Sequence, residues 1–201
     1  MTANTRPTLT VVAGPNGSGK STITRSTLTH LLVPIVDPDA IARELHPSAP
    51  EQAAVEAGRE ALKRQAAYVE NGASFVVETT LSGAGMLRLM EKARQQGFVV
   101  HLLFVATDKA QTNIERVAGR VARGGHHVPD EDVRRRYERS MENLVRAIEL
   151  ADQATITDNS SEQGPREVLV IKQGHVTEQA EDLPSWVTTY LGTFIARQNR
   201  P

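Results

Sequence analysis

Cysteine is absent from the 201 residues, which excludes a disulfide framework and any thiolate chemistry. Aromatic residues make up only 4% and the formal net charge is −1. Neither base-stacking platforms nor a global basic field stands out, so a nucleic-acid partner is disfavoured. No apolar run approaches membrane-spanning length, and the segment from Met1 to Pro7 lacks the apolar core of a signal peptide. The expectation is a cytoplasmic protein with no membrane partner. The length suits one domain with a full core and a small appendage.

What the chain does have is an alternation of short apolar runs and helical patterns, the signature of a parallel α/β sheet. Strands are expected at about 9–13, 33–37, 74–79, 98–106 and 153–157, and a hairpin near 166–177 turning at Gln173-Gly174. Helices are expected at about 19–31, 38–46, 50–71, 84–96, 109–123, 130–151 and 184–197. Gly72, Gly97 and Gly124-Gly125 stand where helix stops belong. The organisation read from this is a flexible segment 1–7, a core over 8–160 with a lid at about 109–130, and a C-terminal hairpin and helix over 161–201.

The most specific motif is Gly14-Pro15-Asn16-Gly17-Ser18-Gly19-Lys20-Ser21, directly after the apolar run Leu9 to Ala13. It fits G-x-x-x-x-G-K-[ST] at every fixed position and in the strand–turn–helix context that a P-loop requires. Glycines let backbone N–H groups turn inward around phosphate oxygens, and the helix start adds its positive dipole end. Lys20 can reach the β- and γ-phosphates, and the Ser21 hydroxyl can hold Mg²⁺. Binding of a nucleoside triphosphate, with Thr22 closing the motif, is the expectation.

Two acidic clusters follow. Ile35-Val36-Asp37-Pro38-Asp39 places carboxylates at a strand's C-terminal end, where ligands of open α/β sheets bind. A phosphotransferase acting on a hydroxyl needs a carboxylate there to accept the proton. Asp39 is the candidate base, with Asp37 assisting Mg²⁺ or positioning; simple helix capping is the competing explanation. In Ser74 to Thr80, Glu78 ends a strand expected to be buried on both faces. A carboxylate there is costly unless paired with metal-bound water, Lys20, a substrate hydroxyl or a structural arginine. Glu78, Thr79 and Thr80 are therefore read as substrate-side residues.

Leu81-Ser82-Gly83-Ala84-Gly85 imitates the signature loop of ABC ATPases. The strand after it runs into Ala106-Thr107-Asp108-Lys109 rather than ending in Asp-Glu, so that assignment is rejected. On the next helix Ile114, Val117, Ala118 and Val121 share one face, and Arg116, Arg120 and Arg123 fill a narrow sector opposite. Such a helix can supply arginines to a transferring phosphate, or present a solvated basic face. Beyond it, the stripe Val133, Tyr137, Met141, Leu144 and Ile148 brings Arg134 closest to the buried side. His126-His127 is a poor metal site without a third ligand nearby.

Taken in order, Gly14–Ser21, Asp37–Asp39, Glu78-Thr79-Thr80, the Arg116–Arg123 lid and Asp158-Asn159-Ser160 resemble the zeta-toxin family of P-loop kinases. The resemblance covers about residues 8 to 160 and is nearest to short stand-alone members. It implies a kinase using ATP and Mg²⁺, and the doubly wound, five-stranded, mostly parallel sheet is expected in order 2-3-1-4-5 by similarity to nucleoside-kinase-like folds. It also implies transfer of phosphate to a sugar hydroxyl of UDP-N-acetylglucosamine or a related nucleotide sugar. The family's P-loop lysine matches Lys20, its catalytic aspartate Asp39, its strand-three glutamate Glu78, and its lid arginines Arg116 with Arg120 or Arg123. An antitoxin protein becomes a candidate partner. The same core would serve a kinase of an antibiotic or metabolite, and a rival of another class is a nucleotide-switched protein with residual ATPase activity. A polynucleotide 5′-kinase is weakened by the neutral charge and scarce aromatics.

Overall fold

A computed structural model describes residues 6–25, 32–125 and 127–198. The first apolar run forms β1 (Thr8–Ala13), followed by the glycine-rich turn and α1 (Lys20–Ile23). The expected continuation of that helix over 26–31 lies outside the described residues. There follow β2 (Ile35–Val36), α2 (Pro38–Leu45), α3 (Ala54–Glu70), β3 (Phe75–Thr79), α4 (Ala84–Gln95), β4 (Val99–Ala106) and α5 (Ala110–Val121). The chain continues through α6 (Asp130–Leu150), β5 (Gln153–Asp158), β6 (Arg166–Lys172), β7 (His175–Gln179) and α7 (Ser185–Gln198). The helix expected over 50–71 is broken at its start. Pro50–Ala53 forms a 3-10 turn before α3 begins at Ala54.

The sheet order is β2-β3-β1-β4-β5-β6-β7. The first five strands are parallel in the expected order 2-3-1-4-5. The correction is at the far edge: the hairpin is not an appendage, because β6 pairs antiparallel with β5 and makes the sheet seven-stranded. An uncovered β5 would leave a row of unpaired backbone groups on an apolar strand. The buried Val168, Leu169, Val170 and Ile171 of β6 cover it. Arg6 and Pro7, expected in the flexible segment, are likewise bonded: Arg6 Nε donates to Gly97 O at 2.9 Å and Val99 N to Pro7 O at 2.8 Å.

One large core joins Leu9, Val11 and Ala13 of β1 to α3, α4, α6 and α7, with Phe75, Phe98 and Phe104 among its largest members. The arginine-bearing α5 belongs to a separate small cluster of Ile114, Val117, Val128 and Val133. Among the described residues no helix is long and apolar enough to cross a membrane.

Trp186 ties α7 to the sheet. It is 2% exposed, packs against Phe104, and donates from Nε1 to Asp158 Oδ1 at 2.8 Å. A large aromatic removed from a packed site costs ~3–5 kcal/mol. Trp186→Ala is expected to lose that much in urea unfolding followed by circular dichroism. Trp186→Phe, which gives up the Asp158 bond but keeps most of the packing, should lose clearly less.

Candidate active site

Every parallel strand ends at the same place. After β1 comes the P-loop, after β2 Asp37, at the end of β3 Glu78 and Thr79, after β4 Thr107, and after β5 Asn159. β1 lies between β3 and β4, so the chain reverses direction across the sheet here, which is where open α/β sheets bind ligands. A cleft of about 660 Å³ occupies this position. Its walls carry Lys20, Arg25, Arg116, Arg120, Arg123 and Arg136 against the carboxylates of Asp37, Asp39 and Glu78. Asn16, Gly17, Gly19, Ser21, Thr22, Thr79, Thr80 and Asn159 complete it. Gly14, Pro15 and Ser18 do not line the cleft.

The P-loop is built for backbone contact. Gly17 has φ +78° and Gly19 φ +101°. A Cβ on Gly17 would fall 2.5 Å from Asn113 O, and one on Gly19 2.4 Å from Asn159 Nδ2. Amides that turn inward oblige their neighbouring carbonyls to turn outward, and a buried carbonyl needs a donor. Three side chains supply them. Lys20 Nζ donates to Pro15 O at 2.8 Å, Asn113 Nδ2 to Asn16 O at 2.7 Å, and Asn159 Nδ2 to Ser18 O at 2.8 Å. The Ser18 hydroxyl is buried with no hydrogen-bond partner among the described residues.

Asp37 takes the capping role that competed for Asp39. Its carboxylate accepts from Asp39 N at 3.0 Å, with Pro38 as the first helical residue. Asp39 is thereby left on the cleft wall. Burial, and then the Glu78 charge, raises the pKa of Asp37. Glu78 Oε2 accepts from Ser21 Oγ at 3.0 Å, a pairing that links strand three to the P-loop across 57 residues. Of the two residues expected at Mg²⁺, Ser21 thus contacts Glu78 in this structure, while Asp37 Oδ2 lies 3.8 Å from Arg43 Nη2. Ser21 with one carboxylate and phosphate oxygens fits the way Mg²⁺ is held at nucleotide sites. Thr79 Oγ1 accepts from Leu81 N at 3.1 Å, and Thr80 Oγ1 bonds Ser82 Oγ at 2.8 Å.

Burial lowers the pKa of the half-buried Lys20 from 10.5 to about 8, against the opposing pull of Glu78 and Asp39.

Arg134 is the site residue the structure removes. It is exposed, does not line the cleft, and donates to Gln111 Oε1 at 2.9 Å. Arg136 lines the cleft instead and donates to Asn16 Oδ1 at 3.3 Å. Ser140, buried though polar, extends the inward face of α6 toward Arg136, a shift that an apolar stripe does not register. On α5 the buried face is likewise displaced: Asn113 is fully buried and Ala118 exposed. The arginine sector therefore borders Asn113 rather than standing opposite the packed face. Arg25, Arg136, Asn113 and Asn159 were missed as site residues. Only Asn159 had a sequence signal, in the Asp158-Asn159-Ser160 run at a strand end. His127 is described but lies outside this cleft, and His126 lies outside the described residues.

An open, mostly parallel sheet with a P-loop at its switch point and a cationic cleft above it defines a P-loop nucleotide-binding fold. The family model for Zeta toxin matches residues 1–164. The chain belongs to that family. An uncharacterized protein of Haemophilus influenzae (strain ATCC 51907 / DSM 11121 / KW20 / Rd) is 36% identical over 124 residues, 62% of this chain and 88% of that protein. The fold is similar to that in the crystal structure of AvrRxo1-ORF1:-ORF2 with ATP, at TM-score 0.71 and 17% identity. That match covers 98% of this chain and 66% of the AvrRxo1 chain, so this chain spans just under two thirds of its length. A structure of the PezAT chromosomal toxin-antitoxin system of Streptococcus pneumoniae matches at TM-score 0.61 and 16% identity, covering 98% of this chain and 88% of that one. At such identities the two structures speak for the fold alone.

A polyanion beside Lys20 favours its charged form, so binding should raise a pKa that starts at about 8. At pH 8.5 most free protein has lost that proton, and binding of Mg·ATP should take one up. At pH 7 Lys20 already carries it and uptake should nearly vanish. Calorimetry in buffers of different ionisation enthalpy checks this, with Lys20→Met expected to show no such pH-dependent uptake.

Proposed function

We propose that the protein transfers the γ-phosphate of ATP to a hydroxyl of a small molecule. The observation that carries this reading is the position of Asp39. It stands in a wall shared by the cationic cleft and a second recess of about 580 Å³, whose lining includes Ala42, Arg43, Glu51, Ala54 and His127. One space suits the triphosphate and the other the body of an acceptor, with a carboxylate between them. A nucleotide switch has no need of a base facing a second pocket. The ATP present in the AvrRxo1-ORF1:-ORF2 crystal supports the choice of nucleotide.

In this reading the inward amides of the P-loop and Lys20 hold the β- and γ-phosphates. Ser21, with Glu78 or Asp37, holds Mg²⁺, which neutralises charge on the phosphate oxygens. Asp39 accepts the proton of the attacking hydroxyl as the oxygen–phosphorus bond forms. Arg116, Arg120 and Arg123 face the transferring group from α5 and the turn after it, meeting the charge that develops there. Glu78, Thr79 and Thr80 lie on the substrate side of the cleft. The residues from about 109 to 130 act as the lid of a core spanning 8–160. Family membership points to the sugar of UDP-N-acetylglucosamine or a related nucleotide sugar as acceptor. Because the PezAT proteins are described as a toxin-antitoxin system, an antitoxin protein is the partner proposed for this chain.

Incubation with Mg·ATP and a panel of nucleotide sugars and other hydroxyl compounds should yield one product heavier by a single phosphate. Asp39→Asn should lower that transfer by roughly 10²–10⁴-fold with little change in ATP affinity. Wild-type rates in the Asn variant, with chemistry rate-limiting, would remove Asp39 from the mechanism. Arg→Ala at positions 116, 120 and 123 should act chiefly on kcat, since contacts to developing charge are absent from the ground state. If the three single variants and the triple variant all turn over like wild type, the arginines are a solvated face.

A further inference from the structure

Asn113 is a fully buried polar residue in the first turns of α5, and it does not line the cleft. Both ends of its amide are committed. Nδ2 donates to Asn16 O at 2.7 Å, and Oδ1 accepts from Thr107 Oγ1. Thr107 is itself buried, and its carbonyl accepts from Tyr137 Oη of α6 at 2.9 Å. The α5 backbone presses so closely on the loop at this point that only glycine fits at position 17. Asn113 therefore joins three elements: the tip of the P-loop, the end of β4, and the helix bearing the arginines.

The joint matters because α5 meets the main core through Ala110 at its start, while the turns that carry the arginines pack elsewhere. Its apolar residues, Ile114 and Val117, pack in a small cluster with Val128 and Val133 that is separate from the main core. Arg116 and Arg120 lie three and seven residues past Asn113, hence roughly 4.5 and 10 Å farther along the axis. A rotation of α5 about its anchored end displaces both guanidiniums, the farther one more. The direction of the Asn16 carbonyl reports whether the adjoining amides face into the phosphate cradle. One side chain thus reads the loop and fixes the helix.

We propose that Asn113 is a positioning residue that couples the phosphate-gripping form of the P-loop to the placement of Arg116 and Arg120 over the transferring group. This rests on the kinase reading above. It assigns Asn113 no contact with substrate; the residue acts through Asn16 on one side and through α5 on the other. Asn16 O sets the amide flip, since the reverse would place Oδ1 against it; on the far side the Thr107 hydroxyl, which also lies 3.2 Å from Lys109 O, meets Oδ1 and holds the amide in place.

The test compares binding of Mg·ADP with binding of Mg·ADP plus aluminium fluoride, a mimic of the phosphoryl group in flight. Wild type should bind the second complex more tightly, and the arginines should account for much of that gain. Asn113→Asp is nearly isosteric and keeps the acceptor for Thr107, but sets an oxygen against Asn16 O. It should lose at least ~10-fold of the gain while Mg·ADP affinity moves by less than ~3-fold. In an Arg116→Ala, Arg120→Ala background the same change should cost almost nothing further, the non-additivity expected of residues acting as one unit. Should Asn113→Asp fail to fold, Thr107→Val should show the same selective loss and Thr107→Ser should recover most of it. A full gain in the Asn113 or Thr107→Val variants, an equal loss in Mg·ADP binding, or losses that multiply with those of the arginines would overturn the proposal. A wild-type protein that binds Mg·ADP yet gains nothing from aluminium fluoride would overturn the kinase reading itself, and this coupling with it.

Discussion

A phosphate-binding loop turns its amides toward the ligand, and the same peptide planes then point carbonyls back into the protein. Those carbonyls leave water and must be met. Here Pro15 O, Asn16 O and Ser18 O are met by Lys20, Asn113 and Asn159. Each donor comes from a different part of the chain: the loop's own helix, α5, and the end of β5. The loop is held in shape by the elements that also furnish the walls of the cleft, so its geometry and theirs are one constraint.

From the Asn159 side the constraint runs to the C-terminus. Asp158 Oδ1 accepts from Ser160 Oγ at 2.6 Å and from Trp186 Nε1 at 2.8 Å, and Ser160 Oγ accepts from Asp108 N at 2.9 Å. The strand end that presents Asn159 is thus fixed by a buried indole on α7 and by the loop after β4. This gives the final helix a structural tie to the site, although it contributes no residue to the cleft. Electrostatics adds a second dependency. Six cationic side chains face three carboxylates across one cleft, an excess suited to a polyanion. Lys20 is held at a lowered pKa by its burial, and a bound phosphate chain would relieve that.

Much of this was legible in the chain because the relevant constraints are local. Glycines, lysine and serine at fixed spacing after an apolar strand define a P-loop without reference to anything distant. Asp37-Pro38-Asp39 at a helix start, and Glu78 after three apolar residues, are short-range patterns of the same kind. The parallel order of the first five strands followed from alternation of runs and helices together with the resemblance.

What tertiary structure alone decided are relations between segments far apart in sequence. Whether the hairpin stands apart or joins the sheet depends on the exposed edge of β5 and on the apolar face of β6, and neither run states that it needs the other. The choice of Arg136 over Arg134 depends on which flank of α6 faces the P-loop, and the apolar stripe, which lies between the two, leaves that open. Asn113 stands at the flank of the apolar face of α5, where a helical wheel leaves its burial open, because a polar side chain is buried only where a partner waits, and its partners are Asn16 and Thr107. Local chemistry is written in spacing; the satisfaction of buried polar groups is a property of the assembled chain.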